Sequence, residues 1–337
     1  MAVSVDVLAS TLQYILDEET EALKRRHAFL DYADKCKGVE TLDGGARIDV
    51  PVSVRDHSLI TYHNDGYEPT NETIQDVMVS AQFPWAFWTA PVALSAKRAL
   101  ENSGDAAIIS LYGAHVKSAM DKMGRDMNAQ ILNGSLVGTG LETLYGAAAG
   151  VTTGFIEGIA KATQDNTVGG LSKATYNVPG WTNAFFAGAG AFATNGKTGM
   201  DSIQTQIMAV HTGPKPVDVV IASEASFRLY KQTLFANERY VSDAELDGGR
   251  MNLLFAGAPV VPDLAMTVAG RAGNAIFSMY FLNFSGIKLY FHADGKFNLV
   301  SRGRALGYAT DTWQIQLMTQ LVGTHIGSQG ILTDADA

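Results

Sequence analysis

The sequence predicts an α+β chain with two lobes and extended pieces outside them. Three observations lead there. One stretch carries an apolar stripe at helical spacing for some thirty residues. A long two-stranded pattern precedes it, and alternating strand and helix signals follow it. The chain has 337 residues, long for one compact domain and short for three. Apolar residues make up 47%, enough for a sizeable core, and charged residues only 18%, below the roughly 25% usual for soluble domains. Few charges in a soluble chain mean large cores or large surfaces that end against partners, as in obligate oligomers.

The elements follow in order. Residues 3 to 37 read as one or two helices, with Leu8, Leu12, Ile15 and Leu16, then Leu23, His27 and Leu30, at helical spacing. Asp17-Glu18-Glu19-Thr20 suits the start of a second segment, and Gly38 its stop. This stretch is either an amphipathic helix on its own domain or an arm on a neighbour. From residue 46 the period changes to two: Ile48, Val50, Val52 and Val54, then Ile60 and Tyr62. Asn64-Asp65-Gly66 is a turn signal, and Ile74, Val77, Val79 and Phe83 a returning strand. Such a ribbon has little core and needs a surface to lie on. Phe83, Trp85, Phe87 and Trp88 cluster at its base and read as core or interface.

Ile109, Tyr112, Val116, Met120, Met123, Met127 and Ile131 form the long stripe. Ser103 or Asp105 can cap its start, and Asn133-Gly134 its end; the helix would be roughly 45 Å long. Residues 135 to 200 are rich in Gly, Ala and Thr and read as loops and short helices. A helix from Met200 to Thr212, a buried strand from Val217 to Ala222 and a helix capped by Ser223-Glu224-Ala225-Ser226 indicate an α/β lobe. Leu253 to Pro262 and Ala275 to Leu282 read as further strands. Ile287, Leu289 and Phe291 alternate up to a turn at His292-Ala293-Asp294-Gly295, and Phe297 and Leu299 continue. Trp313, Ile315, Leu317, Leu321 and Ile326 read as one long closing strand beside the long helix.

Chemistry is sparse. Histidines 27, 57, 63, 115, 211, 292 and 325 show no zinc-binding helical spacing, and no phosphate loop or nucleophile elbow occurs. Gly188-Ala189-Gly190-Ala191-Phe192-Ala193 echoes a dinucleotide fingerprint but reads as a flexible loop. Cys36 is the only cysteine, so no intrachain disulfide forms. The sequence assigns no catalytic, cofactor-binding or metal-ligating residue and no cofactor. The net charge of -9 argues against a dedicated nucleic-acid binder, and Lys24-Arg25-Arg26 reads as a solvated helix face. No signal peptide or membrane span is expected, and the three Asn-x-Ser/Thr patterns, at Asn71, Asn133 and Asn283, carry no meaning without secretion.

Several phrases in this order resemble the major capsid proteins of tailed bacteriophages. They are Glu101-Asn102-Ser103-Gly104, Thr167-Val168-Gly169-Gly170-Leu171, Gly180-Trp181-Thr182-Asn183, Phe255-Ala256-Gly257-Ala258-Pro259-Val260-Val261 with Asp263, Met279-Tyr280-Phe281-Leu282-Asn283, and Gln329-Gly330-Ile331-Leu332. The resemblance implies the Hong Kong 97-type capsid fold. It divides the chain into an N-terminal arm (1–45), an extended hairpin loop (46–98), the spine helix of a peripheral domain (99–136), an axial domain (137–284) and closing strands of the peripheral domain (285–337). It also implies a structural, non-enzymatic subunit that forms hexamers and pentamers of an icosahedral head, made in the host cytoplasm and ending in the virion. The implied partners are copies of itself, a portal, a scaffold, decoration proteins and non-specifically packaged double-stranded DNA. Gly45, Ser103-Gly104 and Gly134 are the expected hinges. An encapsulin-like compartment and a cytoplasmic α/β enzyme are the alternatives. Some related capsids join neighbours through a hairpin Lys bonded to an Asn; here no Lys lies between Pro51 and Ala96, and Lys97 is the first.

Overall fold

In the computed structural model, the described residues are 14–16, 18–20, 27–53, 60, 62, 77–95, 105–133, 167–172, 175–176, 184–188, 196–210, 217–235, 253–265, 277–304 and 310–334. In chain order they form helix α1 (Ala28–Lys35) and strands β1 (Val39–Leu42), β2 (Arg47–Ser53), β3 (Met78–Pro84) and β4 (Ala86–Ser95). Helix α2 (Asp105–Asn133) follows, then β5 (Thr167–Val168), β6 (Leu171–Ser172), β7 (Ala184–Gly188), α3 (Gly196–Val210), β8 (Val219–Ala222) and α4 (Glu224–Phe235). The remainder is strand: β9 (Leu253–Phe255), β10 (Ala258–Pro262), β11 (Phe277–Leu282), β12 (Ile287–His292), β13 (Asn298–Arg304), β14 (Thr310–Gly323) and β15 (Gly330–Asp334).

The expected long helix is α2, 29 residues, or about 43 Å. Its stripe is buried from Tyr112 to Ile131, with Val116 and Ile131 fully enclosed. Ile109 and both expected end caps fall outside what is described of side chains.

Two sheets close on this helix. In the first, β12 and β13 run end to end along one edge of β14, pairing Ile287–Phe291 with Gly323–Thr319 and Asn298–Arg304 with Gln316–Asp311. β4 pairs along the opposite edge of β14 from Ala86 to Ser95, and β1 adds in parallel to β12. Trp313, Ile315 and Leu317 alternate with half-buried Thr312, Gln314 and Gln316, so one face of this sheet is core. The second sheet has the order β7-β15-β11-β8-β10-β9. Its parity splits the core in two. Val219, Ile221, Tyr280 and Leu282 join the cluster that holds α2 and the first sheet. Val220, Ala222, Met279 and Phe281 join Ile203 and Val210 of α3 and Phe227 and Tyr230 of α4.

Polar bonds tie the second sheet to α2 and close the connections that leave it. The Asn128 side-chain amide on α2 donates to both carboxylate oxygens of buried Asp263, each at 3.2 Å. Tyr280 Oη donates to the Leu132 carbonyl at 2.8 Å. Where β11 ends and β15 begins, the Gln329 side chain mimics a peptide group: Oε1 accepts from Asn283 N–H at 3.0 Å, and Nε2 donates to the Asn283 carbonyl at 2.9 Å. The clasp satisfies backbone groups that would each cost about 1–3 kcal/mol as buried orphans, whereas Asn128 Oδ1 is buried without a hydrogen-bond partner.

Several expectations are corrected. The first helix does not stop on Gly38. Lys37 takes the left-handed conformation (φ 56°), and Gly38 N–H closes the turn on the Ala33 carbonyl at 2.7 Å. Gly38 is glycine for another reason: a Cβ there would stand 2.7 Å from Phe284. The strand expected over Leu253 to Pro262 is present and is divided into the hairpin β9–β10. Its turn residues Ala256 (φ 51°) and Gly257 (φ 86°) have the two positive φ values of a type I′ turn. The closing strand ends at Gly323. The chain turns through a 3-10 helix, Ile326–Ser328, and β15 enters the second sheet between β11 and β7. β15 is therefore not a closing strand of the first sheet, while β1 and β4, expected in the arm and the hairpin loop, belong to that sheet.

Met123, buried on the stripe, generates a direct test. Met123→Asp places an unpaired charge among apolar neighbours at a cost of several kcal/mol. Thermal unfolding by circular dichroism should show loss of the cooperative transition at ambient temperature.

Candidate assembly surfaces

No catalytic constellation forms among the described residues. His27, His115, His292 and His325 are scattered, and His57, His63 and His211 lie outside the described residues. Among the described residues no group of three or more His, Cys, Asp or Glu could hold a metal, and no helix is long and apolar enough to cross a membrane. Cys36 lies at the surface. Partial desolvation of its thiol and the nearby Asp218 carboxylate push its pKa up, the opposite of an activated nucleophile. The strand β7 does lead into the expected glycine loop, but residues 189–195 lie outside the described residues.

What the chain presents instead are extended elements. β2 and β3 pair antiparallel from Arg47↔Pro84 to Ser53↔Met78. The inner face holds buried Ile48, Val52, Ala81 and Phe83, and the outer face exposes Arg47, Asp49, Pro51, Ser53, Met78, Ser80, Gln82 and Pro84. The expectation of a ribbon with little core is thus corrected at its base. There the β5–β6 hairpin braces it: Gln82 N–H donates to the Gly169 carbonyl at 2.7 Å, and Gly169 (φ 56°) sits where a Cβ would come within 2.9 Å of Ala81 and Phe83. At the foot, Gly44 and Gly45 have φ of 127° and 109°. Trp85 Nε1 donates to the Gly45 carbonyl at 3.0 Å, and its ring meets His292 edge-on. Gly45 thus sits at a bend, whereas Ser103-Gly104 and Gly134 lie outside the described residues. Toward the tip, Ile60 and Tyr62 are exposed apolar side chains.

Beyond Trp85 the chain continues directly into β4, a strand the sequence reading missed. Its inward side chains are Ala86, Trp88, Ala90 and Val92, and its outward ones Phe87, Thr89, Pro91 and Ala93. The aromatic cluster is therefore divided: Phe83 is fully buried and Phe87 is 57% exposed. Phe87 stands opposite Met318, Thr89 opposite Gln316 and Pro91 opposite Gln314, so β4 adds no charge to this outer face, whose nearby cation is Arg302, donating through Nε to Gln314 Oε1 at 2.6 Å.

The N-terminal segment folds back on α2. Leu16 is fully buried, and Ile15 Cδ1 would lie 3.1 Å from a Cβ on Gly113. Lys117 Nζ meets the Glu19 carboxylate at 2.9 Å, and Thr20 Oγ1 donates to the Leu16 carbonyl at 2.7 Å. Residues 14–20 therefore take the own-domain arrangement. A glycine inside a helix costs about 1 kcal/mol against alanine; here it makes the notch for Ile15.

The phrases quoted for the resemblance sit at structural junctions. Thr167 to Leu171 is the brace of the ribbon. Phe255 to Val261 holds the positive-φ turn, and Asp263 takes the Asn128 amide. Asn283 and Gln329 form the clasp where β11 ends and β15 begins. Residues 101–104 and 180–183 lie outside the described residues.

No family model matches the chain, and no curated protein matches its sequence. Solved structures do match its shape. The chain is similar to the capsid subunit of cyanophage A-1(L), with a TM-score of 0.61 at 15% identity over 90% of this chain and 91% of that one. It is similar to the capsid protein of Myoviridae phage XM1, with a TM-score of 0.56 at 11% identity over 90% and 92%. It is also similar to an encapsulin of Synechococcus elongatus, with a TM-score of 0.54 at 9% identity over 88% and 85%. The α+β architecture is that of the tailed-phage capsid subunits, the Hong Kong 97-type fold.

The notch at Gly113 makes the arm contact testable. Gly113→Leu should displace residues 14–20 from α2 while the two sheets stay folded. Hydrogen exchange should rise in that segment and remain unchanged in β11 and β14.

Proposed function

We propose that this chain is the major capsid subunit of a tailed phage, a structural protein that joins copies of itself in pentamers and hexamers of an icosahedral shell around double-stranded DNA. The observation that carries the reading is the coincidence of this fold, shared with phage capsid subunits over about nine-tenths of each chain, with a two-stranded ribbon that runs on into β4, a strand exposed on one face and free of charged residues. The low charge content fits surfaces that finish against other copies. The net charge of -9 fits a lumen that does not trap the DNA it receives. The reading places the chain in the virion, with assembly in the host cytoplasm, and implies a portal, a scaffold and decoration proteins as partners. It assigns no enzymatic role. The division into arm, hairpin loop, spine helix, axial domain and closing strands belongs to the same proposal, with β15 moved into the axial sheet.

An encapsulin-like compartment is the second reading, favoured by the likeness to the Synechococcus encapsulin. The contents separate the two. Particles purified after nuclease treatment should retain protected double-stranded DNA; a protein cargo without DNA would select the compartment instead. Light scattering and negative-stain microscopy of the purified chain should show pentamers, hexamers or closed shells, and a monomer under every condition, scaffold included, would end the proposal.

Two further outcomes follow from the ribbon. Replacing residues 55–77 with an Asn-Gly turn spares Ile48, Val52, Ala81 and Phe83. The subunit should keep its thermal transition and lose shell formation. The absence of Lys from Pro51 to Ala96 predicts shells held without covalent bonds between subunits. Boiled in detergent under reducing conditions, particles should run as a single band near 36.0 kDa and not as a ladder.

A further inference from the structure

From Met78 to Ser95 the chain contains no Asp, Glu, Lys or Arg, and it is strand throughout except at Trp85. Valine, phenylalanine, tryptophan and alanine dominate it. Uncharged segments of this kind, six or seven residues long and free of proline, are those that pair between chains into open-ended cross-strand polymers. In this protein the segment is exposed along one face, and among the described residues the outer edge of β4 has no strand partner. A subunit that must crowd against its own copies would be expected to guard such edges.

The guards are prolines, and their placement is regular. In an antiparallel pair, alternate residues direct their N–H groups away from the partner strand. Gln82 N–H leaves the ribbon for the Gly169 carbonyl, which identifies the outward set. Gln82 pairs with Asp49, and at the same parity Pro84 pairs with Arg47 and Ser80 with Pro51. Pro84 therefore removes an N–H from the outer row of β3, and Pro51 removes one from the outer row of β2. On β4, register with β14 runs unbroken from Ala86↔Thr319 to Ser95↔Thr310 through Pro91. A proline is tolerated there when its nitrogen faces away from the partner, so Pro91 interrupts the outer row of β4 near its middle. All three are exposed. The opposite edge of the same sheet is guarded differently: β13 has a bulge between Ser301 and Gly303 that carries exposed Arg302.

We propose that Pro51, Pro84 and Pro91 are edge stops that deny a second copy of this chain a backbone ladder on the ribbon and on β4, so that copies meet through side chains and not by continuing each other's sheets. The inference does not depend on the shell reading, because it concerns how copies fail to join.

The test compares the full-length chain with Pro91→Val and Pro91→Lys at matched concentration, followed by light scattering, thioflavin T fluorescence and negative-stain microscopy. The valine variant should lose soluble subunit to thioflavin-positive, open-ended polymer. The lysine variant restores the N–H but adds an edge charge, so it should stay as soluble as the parent. A folded valine variant that behaves like the parent overturns the proposal. So does a lysine variant that polymerises as the valine variant does, because proline would then act only through local folding. If circular dichroism shows that Pro91→Val does not fold, Pro51→Val on the ribbon decides by the same readouts: polymer supports the proposal, and a soluble, folded variant overturns it.

Discussion

The apolar stripe of α2 is the surface on which both sheets close, and the rest of the architecture depends on that contact. Tyr112, Val116, Met120, Met123, Met127 and Ile131 share one cluster with Trp313, Ile315 and Leu317 of the first sheet and with Ile221, Tyr280 and Leu282 of the second. Each such side chain contributes about 1.5–3 kcal/mol when fully buried. Turning one sheet against the other would expose part of that set. Pulling the second sheet off α2 would also break the Asn128–Asp263 bonds and leave a carboxylate unpaired in a dry interior.

A body held so firmly leaves adaptability to what lies outside the shared core. The ribbon is anchored by one face at its base, with glycines of positive φ at its foot. The arm segment is attached to α2 by a few side chains and one ion pair whose lysine is half exposed. Such an exposed pair contributes at most about 1 kcal/mol, so Leu16 and Ile15 dominate that contact. Both elements can therefore shift without disturbing α2.

How much was legible depended on whether the signal was local. The stripe of α2 repeats every three or four residues within one element, so periodicity alone placed it to the end. The Ser223 cap was equally local: Ser223 Oγ accepts from Ser226 N–H at 3.3 Å. β4 was hidden because both of its faces are uncharged, with Phe87 outside and Trp88 inside, so hydrophobicity does not alternate. The β9–β10 turn was hidden because an alanine, Ala256, takes the first positive φ in a continuous apolar run. The switch of β15 into the second sheet depends on pairing with β11 and β7, far away in sequence, and no local pattern encodes it. The role of Gly38 is equally non-local, since Phe284 sets it. The exposed faces of the ribbon and β4 were visible in the sequence only as low charge.

That low charge has two physical consequences that oppose each other. An uncharged face loses little hydration when another copy covers it, which favours close packing between subunits. The same face, on a strand with open edges, favours indiscriminate backbone pairing, which has no preferred end point. Side-chain complementarity distinguishes one partner surface from another, whereas a backbone ladder accepts any extended chain. Outward-facing prolines remove the second option without adding a charge that would oppose the first. The composition of residues 78–95, largely apolar, uncharged and interrupted at Pro84 and Pro91, meets both conditions at once.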